Sequence, residues 1–360
     1  MAVSKQAKNL YNAIFDGTET FAANCISRFG EVRDLKKYAP KEPIPKDYAK
    51  DYKAYWKQFG IHASPEWGWY YAARNGVEDV RYVPHTLYYT KIDQHFNARK
   101  LGYGFNDKNY YSCLFPDIPQ PKTVVRKIGG LLFDAEYRQI DPEKAIESIG
   151  REKEIIAKPS QESGSGRGIA FFNPETDSEA IREYLGSPAD GNCILQSIVP
   201  QHPALEKVHA GSLNTIRICT LMLDDGVHVL SSVLRMGVDK SRIDNVTAGG
   251  ISAPIGEDGK LGKYAYTYYS GEKFEAHPQG LVFDGYEIPS FDRVIETVKS
   301  AAQRIGNFRL VSWDMAVDAA GEVLLVEANM RKGGINLHQF DNGPLFGDLT
   351  ERVIREVLKK

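Results

Sequence analysis

Residues 310–329 read LVSWDMAVDAAGEVLLVEAN. Two apolar runs flank the turn signal DAAGE, so the stretch predicts an antiparallel hairpin. If Asp318 faces Val323, counting outward sets Ala316 opposite Leu325 and Asp314 opposite Glu327. Side chains alternate across a strand, so Asp314, Glu327 and Asn329 share one face. Trp313, Met315, Val317, Leu324, Val326 and Ala328 are then expected on the other, as core. Opposed residues stand about 4.5–5.5 Å apart at Cβ, where two bare carboxylates repel. A cation between them removes the conflict. Oxygen ligands from Asp, Glu and Asn suit a hard ion, and Mg²⁺ commonly completes its shell with water and substrate phosphates. The alternative is a solvated face with screened charges, against which the adjoining VLLV run argues for burial.

The chain around this hairpin has 360 residues, enough for a sizeable core, and a net charge of −2. That charge gives no reason to expect nucleic acid or an anionic membrane as partner. No apolar run approaches the ~18 residues of a spanning helix. The start, MAVSKQAKNLYNAIF, lacks a secretory apolar core. Cys25, Cys113, Cys193 and Cys219 are scattered, without metal-ligand spacing or a disulfide framework. A cytoplasmic enzyme is expected.

Residues 1–104 are expected to form a mainly helical, aromatic-rich region. KQAKNLYNAIFDGTETFAANCISRF has helical spacing, and the Pro-rich YAPKEPIPKDY (Tyr38 to Tyr48) ends it. The aromatics of YWKQFGIHASPEWGWYYAARNG serve either core or interface packing, the commoner reason, or sugar stacking. They also make this region a candidate homodimer surface. From Phe105 onward short strands alternate with helical patterns, giving an α+β fold in two parts, 105–200 and 201–360. TVVRKIGGLLFD, EIIAKPS, CILQSIV, TIRICTLML and VHVLSSVLRMG read as strands, and DSEAIREYLG as a helix. So does SFDRVIETVKSAAQRIG, with Ser290 as N-cap and Gly306 past its end.

EIIAKPSQESGSGRGI delivers Lys158 at a strand end, followed by a loop containing Ser163, Gly164, Ser165, Gly166 and Gly168. Glycines let such a loop lay backbone N–H groups on phosphate oxygens, although a mobile surface turn has the same composition. It has neither P-loop nor dinucleotide-fold spacing. Arg217 and Arg235 lie in later strands, and RIDNVTAGG (Arg242 to Gly250) follows. Each arginine read alone fits a surface residue; beside an Asp/Glu/Asn cluster they fit cations around a triphosphate.

In this order the pieces resemble the ATP-grasp superfamily, from about Phe105 to the end. Its motifs are similar to those of D-alanine–D-alanine ligase and the glutamate-adding ligases. NDKNYYSCLFPDIPQPKTV resembles the family's opening segment and makes Lys108 the first ATP lysine, with Lys158 the second. LQSIV resembles the adenine hinge, so Gln196, Ser197 and Ile198 are implied nucleotide contacts. TIRICTL is similar to the DIR strand, placing Arg217, and RIDNVTAGG to the RSN…GG motif, placing Asn245. Asp314, Glu327 and Asn329 then fall on the metal-ligand positions, for one or two Mg²⁺ ions or Mn²⁺ as a substitute.

Departures are Thr215 in place of an acid, Arg242 one residue off the spacing, and the long connection PQHPALEKVHAGSLN. The ribose contact stays open among Asn214, Glu206 and His202. With its N-terminal region, the chain is most similar to the sugar-transfer associated ATP-grasp proteins. The resemblance implies an ATP-dependent carboxylate–amine (or thiol) ligase acting through an acyl phosphate, in sugar, polysaccharide or peptide-like metabolite synthesis. Arg217, Arg235 and Arg331 are its candidate catalytic residues, and a sugar acid or amino acid its candidate substrate. A phosphotransferase acting on a hydroxyl, or a non-catalytic glycan-binding module, are the alternatives.

Overall fold

The computed structural model describes residue 37 and residues 42–161, 166–187, 191–331 and 333–359. The expected N-terminal helix with Cys25, the connector residues 38–41, and Ser163, Gly164 and Ser165 lie outside these. The chain divides into two compact units. The described residues up to Asn97 group with those from Gly334 onward, and Ala98–Gly333 form the other unit. The C-terminal segment therefore groups with the N-terminal region, whereas the sequence reading placed it with 201–333.

The reason is aromatic packing within the first unit. Its helices Lys46–Lys57 and Pro65–Asn75 bury Tyr52, Trp56, Trp67 and Tyr71. Phe340, in the helix Asn336–Asn342, meets Tyr70 edge-on at 5.1 Å and Tyr71 at 5.3 Å, with the Arg74 guanidinium 3.9 Å from its ring centre. Gln339 bonds the backbone of Val83 through both its carbonyl and its amide group. Of the two roles open to the aromatics, these rings take core packing.

The second unit holds two antiparallel sheets. The first orders its six strands β3-β2-β1-β6-β4-β5. They are β1 Thr123–Ile128, β2 Leu131–Phe133, β3 Gln139–Ile140, β4 Ile155–Pro159, β5 Ala170–Phe172 and β6 Cys193–Ser197. Val125, Ile155, Ala157 and Leu195 are fully buried against the helices Pro142–Ile149 and Ser178–Gly186. The first of these helices starts at Pro142 because the Asp141 side chain accepts from Lys144 N at 2.8 Å.

The second sheet orders seven strands β11-β10-β9-β8-β7-β12-β13. These are β7 Ile216–Leu223, β8 Gly226–Met236, β9 Ile251–Ile255, β10 Ala265–Thr267, β11 Lys273–Phe274, β12 Leu310–Val317 and β13 Val323–Asn329. The helix Phe291–Arg304 buries Phe291, Val294, Val298, Ala301 and Ala302 on this sheet, a spacing of three and four that follows one helical face. Ser290 makes no side-chain cap; it sits at φ 54° and its hydroxyl bonds the Gly321 carbonyl at 3.0 Å. That bond ties the helix start to the hairpin turn.

Asp314 does face Glu327, as counted, but the register near the turn differs by one: Val317 faces Val323, and Met315 faces Leu325. A bulge between Asp314 and Met315 absorbs the difference, leaving Val326 as the extra residue. Val323 and Leu325 therefore join the expected Trp313, Met315, Val317 and Ala328 in this core cluster, while Leu324, also buried, and the half-buried Val326 lie outside it. Among the described residues no helix is long and apolar enough to cross a membrane.

Truncating Phe340 to Ala is expected to destabilise the first unit by about 3–5 kcal/mol, the usual cost of emptying a buried aromatic site. Thermal melting with limited proteolysis checks this; a Tm like that of the unaltered chain would contradict the packing described.

Candidate active site

β13 is an edge strand, and a row of unpaired backbone groups must be met by something other than a strand. Residues 106–119 do this. Tyr111 is buried, and its hydroxyl bonds both the N–H and the carbonyl of Ala328 at 3.1 Å. Met330 N donates to Asn106 Oδ1, and Leu325 N to the Pro119 carbonyl. The same segment delivers Lys108. Asp107 caps its turn by accepting from Asn109 N, Lys108 N bonds the Ser160 carbonyl, and Lys108 Nζ reaches Glu327 Oε1 at 2.7 Å.

On one rung Arg217, Asp314 and Glu327 stand side by side across β7, β12 and β13. Arg217 grips Asp314 with two parallel bonds of 2.7 and 2.8 Å. Arg235 Nη2 approaches the same carboxylate at 3.0 Å. Each carboxylate is thus paired with cations of the chain itself, Lys108 at Glu327 and Arg217 with Arg235 at Asp314. Burial alone would raise the Asp314 carboxyl, but the Arg217 and Arg235 guanidiniums outweigh it and hold it at about 2. Glu327 is likewise lowered on balance, burial being overcome chiefly by Lys108. Lys158, fully desolvated and facing Lys108, is pushed down to about 8.

Asn329 spends an amide N–H on the Ser312 carbonyl at 3.2 Å, which leaves its oxygen for a ligand. Among the described residues no group of three or more His, Cys, Asp or Glu is placed to hold a metal. Two ionised carboxylates and one amide oxygen are nonetheless a hard-donor set of the kind magnesium takes when phosphates and water complete its shell.

Beside this cluster lies a cavity of about 430 Å³, within the usual range for small-molecule sites. Lys158 and Val326 are among its lining residues, so the extra residue of the bulge faces the cavity. Gln196, Ser197 and Ile198 also line it. Gln196 donates to the Pro121 carbonyl, and Ser197 Oγ bonds Glu152. Of the three ribose candidates, Glu206 lines the cavity. Asn214 is fully buried and donates its amide to Gln201, Leu205 and His209, while His202 Nδ1 accepts from Ala204 N at a helix start.

Asn245 uses its side-chain oxygen to cap the turn Val246–Ala248. Arg331 lies 3.8 Å from the centre of the Tyr103 ring, and its stem crosses Gly102 so closely that a Cβ there would stand 2.0 Å from Arg331 Cδ. Gly166 and Gly168, at the end of the glycine loop, have φ of 71° and 76°, a region that suits glycine.

Asp244 is the residue of this cluster that motif reading passes over. It accepts from the N–H and hydroxyl of Thr215, whose hydroxyl in turn receives Arg235 Nε and Nη2 at 3.0 and 2.7 Å. Asp244, 29 residues downstream, is the acid that contacts Thr215. Its signal was its place between Arg242 and Asn245 in the quoted motif.

The profile of the family "Sugar-transfer associated ATP-grasp" matches residues 89–354, and the chain belongs to that family. Among solved structures it is similar to the ATP-grasp ligase PsnB complexed with minimal precursor (15% identity, TM-score 0.43, covering 72% of this chain and 64% of that chain). It is also similar to D-cycloserine synthetase DcsG (13%, 0.41, 69% and 70%). D-alanyl-alanine synthetase A from Vibrio cholerae O1 biovar eltor str. N16961 gives 12%, 0.43, 70% and 64%. The chain thus spans less than two thirds of the PsnB chain. No curated protein matches it.

Replacing Asp314 by Asn leaves two guanidiniums facing a neutral amide and is expected to cost about 3–5 kcal/mol near neutral pH. Because the folded carboxyl lies at about 2, below its ordinary 3.8, its contribution is fully present above about pH 4. It is lost as pH falls toward 2, so the gap between D314N and the unaltered chain should narrow over that interval. Urea unfolding without nucleotide or metal, repeated across pH, measures it; a gap independent of pH would contradict the ion pair.

Proposed function

We propose that this chain is an ATP-dependent carboxylate–amine (or thiol) ligase that forms an acyl phosphate and releases ADP and phosphate. The observation that carries this reading is the convergence of Lys108, Arg217 and Arg235 on one pair of carboxylates, with Lys158 close by on the lining of an adjoining cavity. Four cations against Asp314, Glu327 and the more remote Asp244 leave a surplus of positive charge, which suits a polyphosphate. The nucleobase would enter beside Gln196, Ser197 and Ile198, with Glu206 taking the ribose hydroxyls.

Asp314, Glu327 and Asn329 would hold magnesium, which supplies positive charge against the phosphate oxygens. The chain's own part is positioning and electrostatics. Lys108 and Lys158 orient the phosphates, and Arg235, braced by Thr215 and Asp244, faces the charge that develops on transfer. Arg217 keeps Asp314 ionised and in place. A carboxylate oxygen of the substrate attacks the γ-phosphorus, the bond to the β,γ-bridging oxygen breaks, and ADP leaves. The amine or thiol then attacks the acyl carbon, loses its proton and expels phosphate. Arg331, held on Tyr103 just after the carboxylate strand, is the side chain proposed to bind the acid of a sugar acid or amino acid.

Incubation with MgATP, pooled sugar acids and amino acids, and hydroxylamine tests the reading. ADP, phosphate and a hydroxamate are expected, while a product heavier by one phosphoryl group would instead make the chain a kinase. Glu327→Ala removes a group that acts in phosphoryl transfer, and its rate should fall by at least about 10²–10³. Near-normal turnover in that variant would remove the carboxylate pair from the mechanism.

A further inference from the structure

The loop between β8 and β9 leaves the second sheet at Gly237 and carries Arg242 across to the first. Its base is tightly held. His277 Nδ1 accepts from Gln279 N, so its Nε2–H donates to the Gly237 carbonyl at 2.9 Å. His209 Nδ1 accepts from Ser212 N, so its Nε2–H donates to the Asp239 carbonyl at 3.2 Å. The two rings lie 5.4 Å apart, and a Cβ on Gly237 would stand 2.8 Å from His209 Cε1. Asp244 anchors the far side on Thr215.

The tip is aimed at the other sheet. Arg242 Nη1 pairs with Glu154 Oε1 at 2.5 Å, next to β4, and the guanidinium carbon lies 3.9 Å from the centre of the Phe171 ring on β5. All three residues line the cavity. The adjacent Ile243 touches the end of the glycine loop, where a Cβ on Gly166 would stand 2.9 Å from Ile243 Cδ1. A rigid base and a charged tip engaging one aromatic face and one carboxylate make a clasp between the sheets at the cavity wall.

We propose that Arg242, through Phe171 and Glu154, is a positioning residue that holds the two sheets closed on the nucleoside triphosphate and sets how long it stays bound. This rests on the reading of the cavity as the ATP site. Neither contact lies at Asp314 or Glu327, so the residue acts on retention of the nucleotide rather than on phosphoryl transfer. The Arg242 side chain is about two-fifths exposed (42%), so its ion pair is open to screening by salt.

Stopped-flow displacement of N-methylanthraniloyl-ATP, with magnesium, from the full chain tests this. R242A should release it about three- to thirty-fold faster, the combined worth of an exposed ion pair and a cation–ring contact. E154Q should give a smaller acceleration, and the charge-reversed pair E154R with R242E should recover part of the loss. Added salt should hasten release more steeply from the unaltered chain than from R242A, because R242A has already lost the exposed ion pair, a difference that a merely structural role would not produce. If the unaltered chain holds no nucleotide, the ATP reading falls and this inference with it. If it binds, but R242A and E154Q release at its rate with its salt dependence, the clasp is refuted while the ATP reading stands.

Discussion

Two carboxylates side by side on neighbouring strands are a liability, and much of the second unit is arranged around that fact. Asp314 and Glu327 occupy one rung of β12 and β13, with Arg217 on the next strand and Lys108 arriving from outside the sheet. Without those cations, burial would push the carboxyls toward protonation and the rung would repel itself. With them, both acids stay ionised. The segment that covers the exposed edge of β13 is the one that brings Lys108, so closing the edge and balancing the charge are achieved by a single stretch of chain.

The ionised rung in turn constrains its surroundings. Arg235 lies against Asp314 and needs a second acceptor, which Thr215 and Asp244 provide. Asp244 fixes one end of the loop that carries Arg242, and the imidazoles of His209 and His277 fix the other. Asp314, Arg235, Thr215 and Asp244 thus form one polar chain that ends on the loop carrying Arg242 to the rim of the first sheet.

Much of this was legible in the sequence because strand periodicity and charge leave clear marks. The hairpin, the pairing of Asp314 with Glu327, the strand arginines and the Lys-Pro strand end all follow from alternation and turn residues. The bulge at Val326 was not legible. An extra residue has no signature when its neighbours are all apolar, so counting could not tell whether Leu324 or Leu325 faces the core. Ser290 looked like a cap because position and residue type agreed, yet a tertiary bond to Gly321 claimed its hydroxyl. Asn214 looked available for a ligand, but three carbonyl or amide oxygens take its donors. Asp244 had only its place beside Arg242 and Asn245 as a signal, and Glu154 became visible only once strands distant in sequence stood together.

Calorimetric titration of ATP into the full chain, with and without magnesium, addresses the central claim most directly. If the Asp314–Glu327 rung receives the phosphates, ATP binding should tighten markedly with magnesium, and E327Q should lose that gain while still binding ADP in the cavity. Binding that is indifferent to magnesium in the unaltered chain, or a gain preserved intact in E327Q, would contradict it.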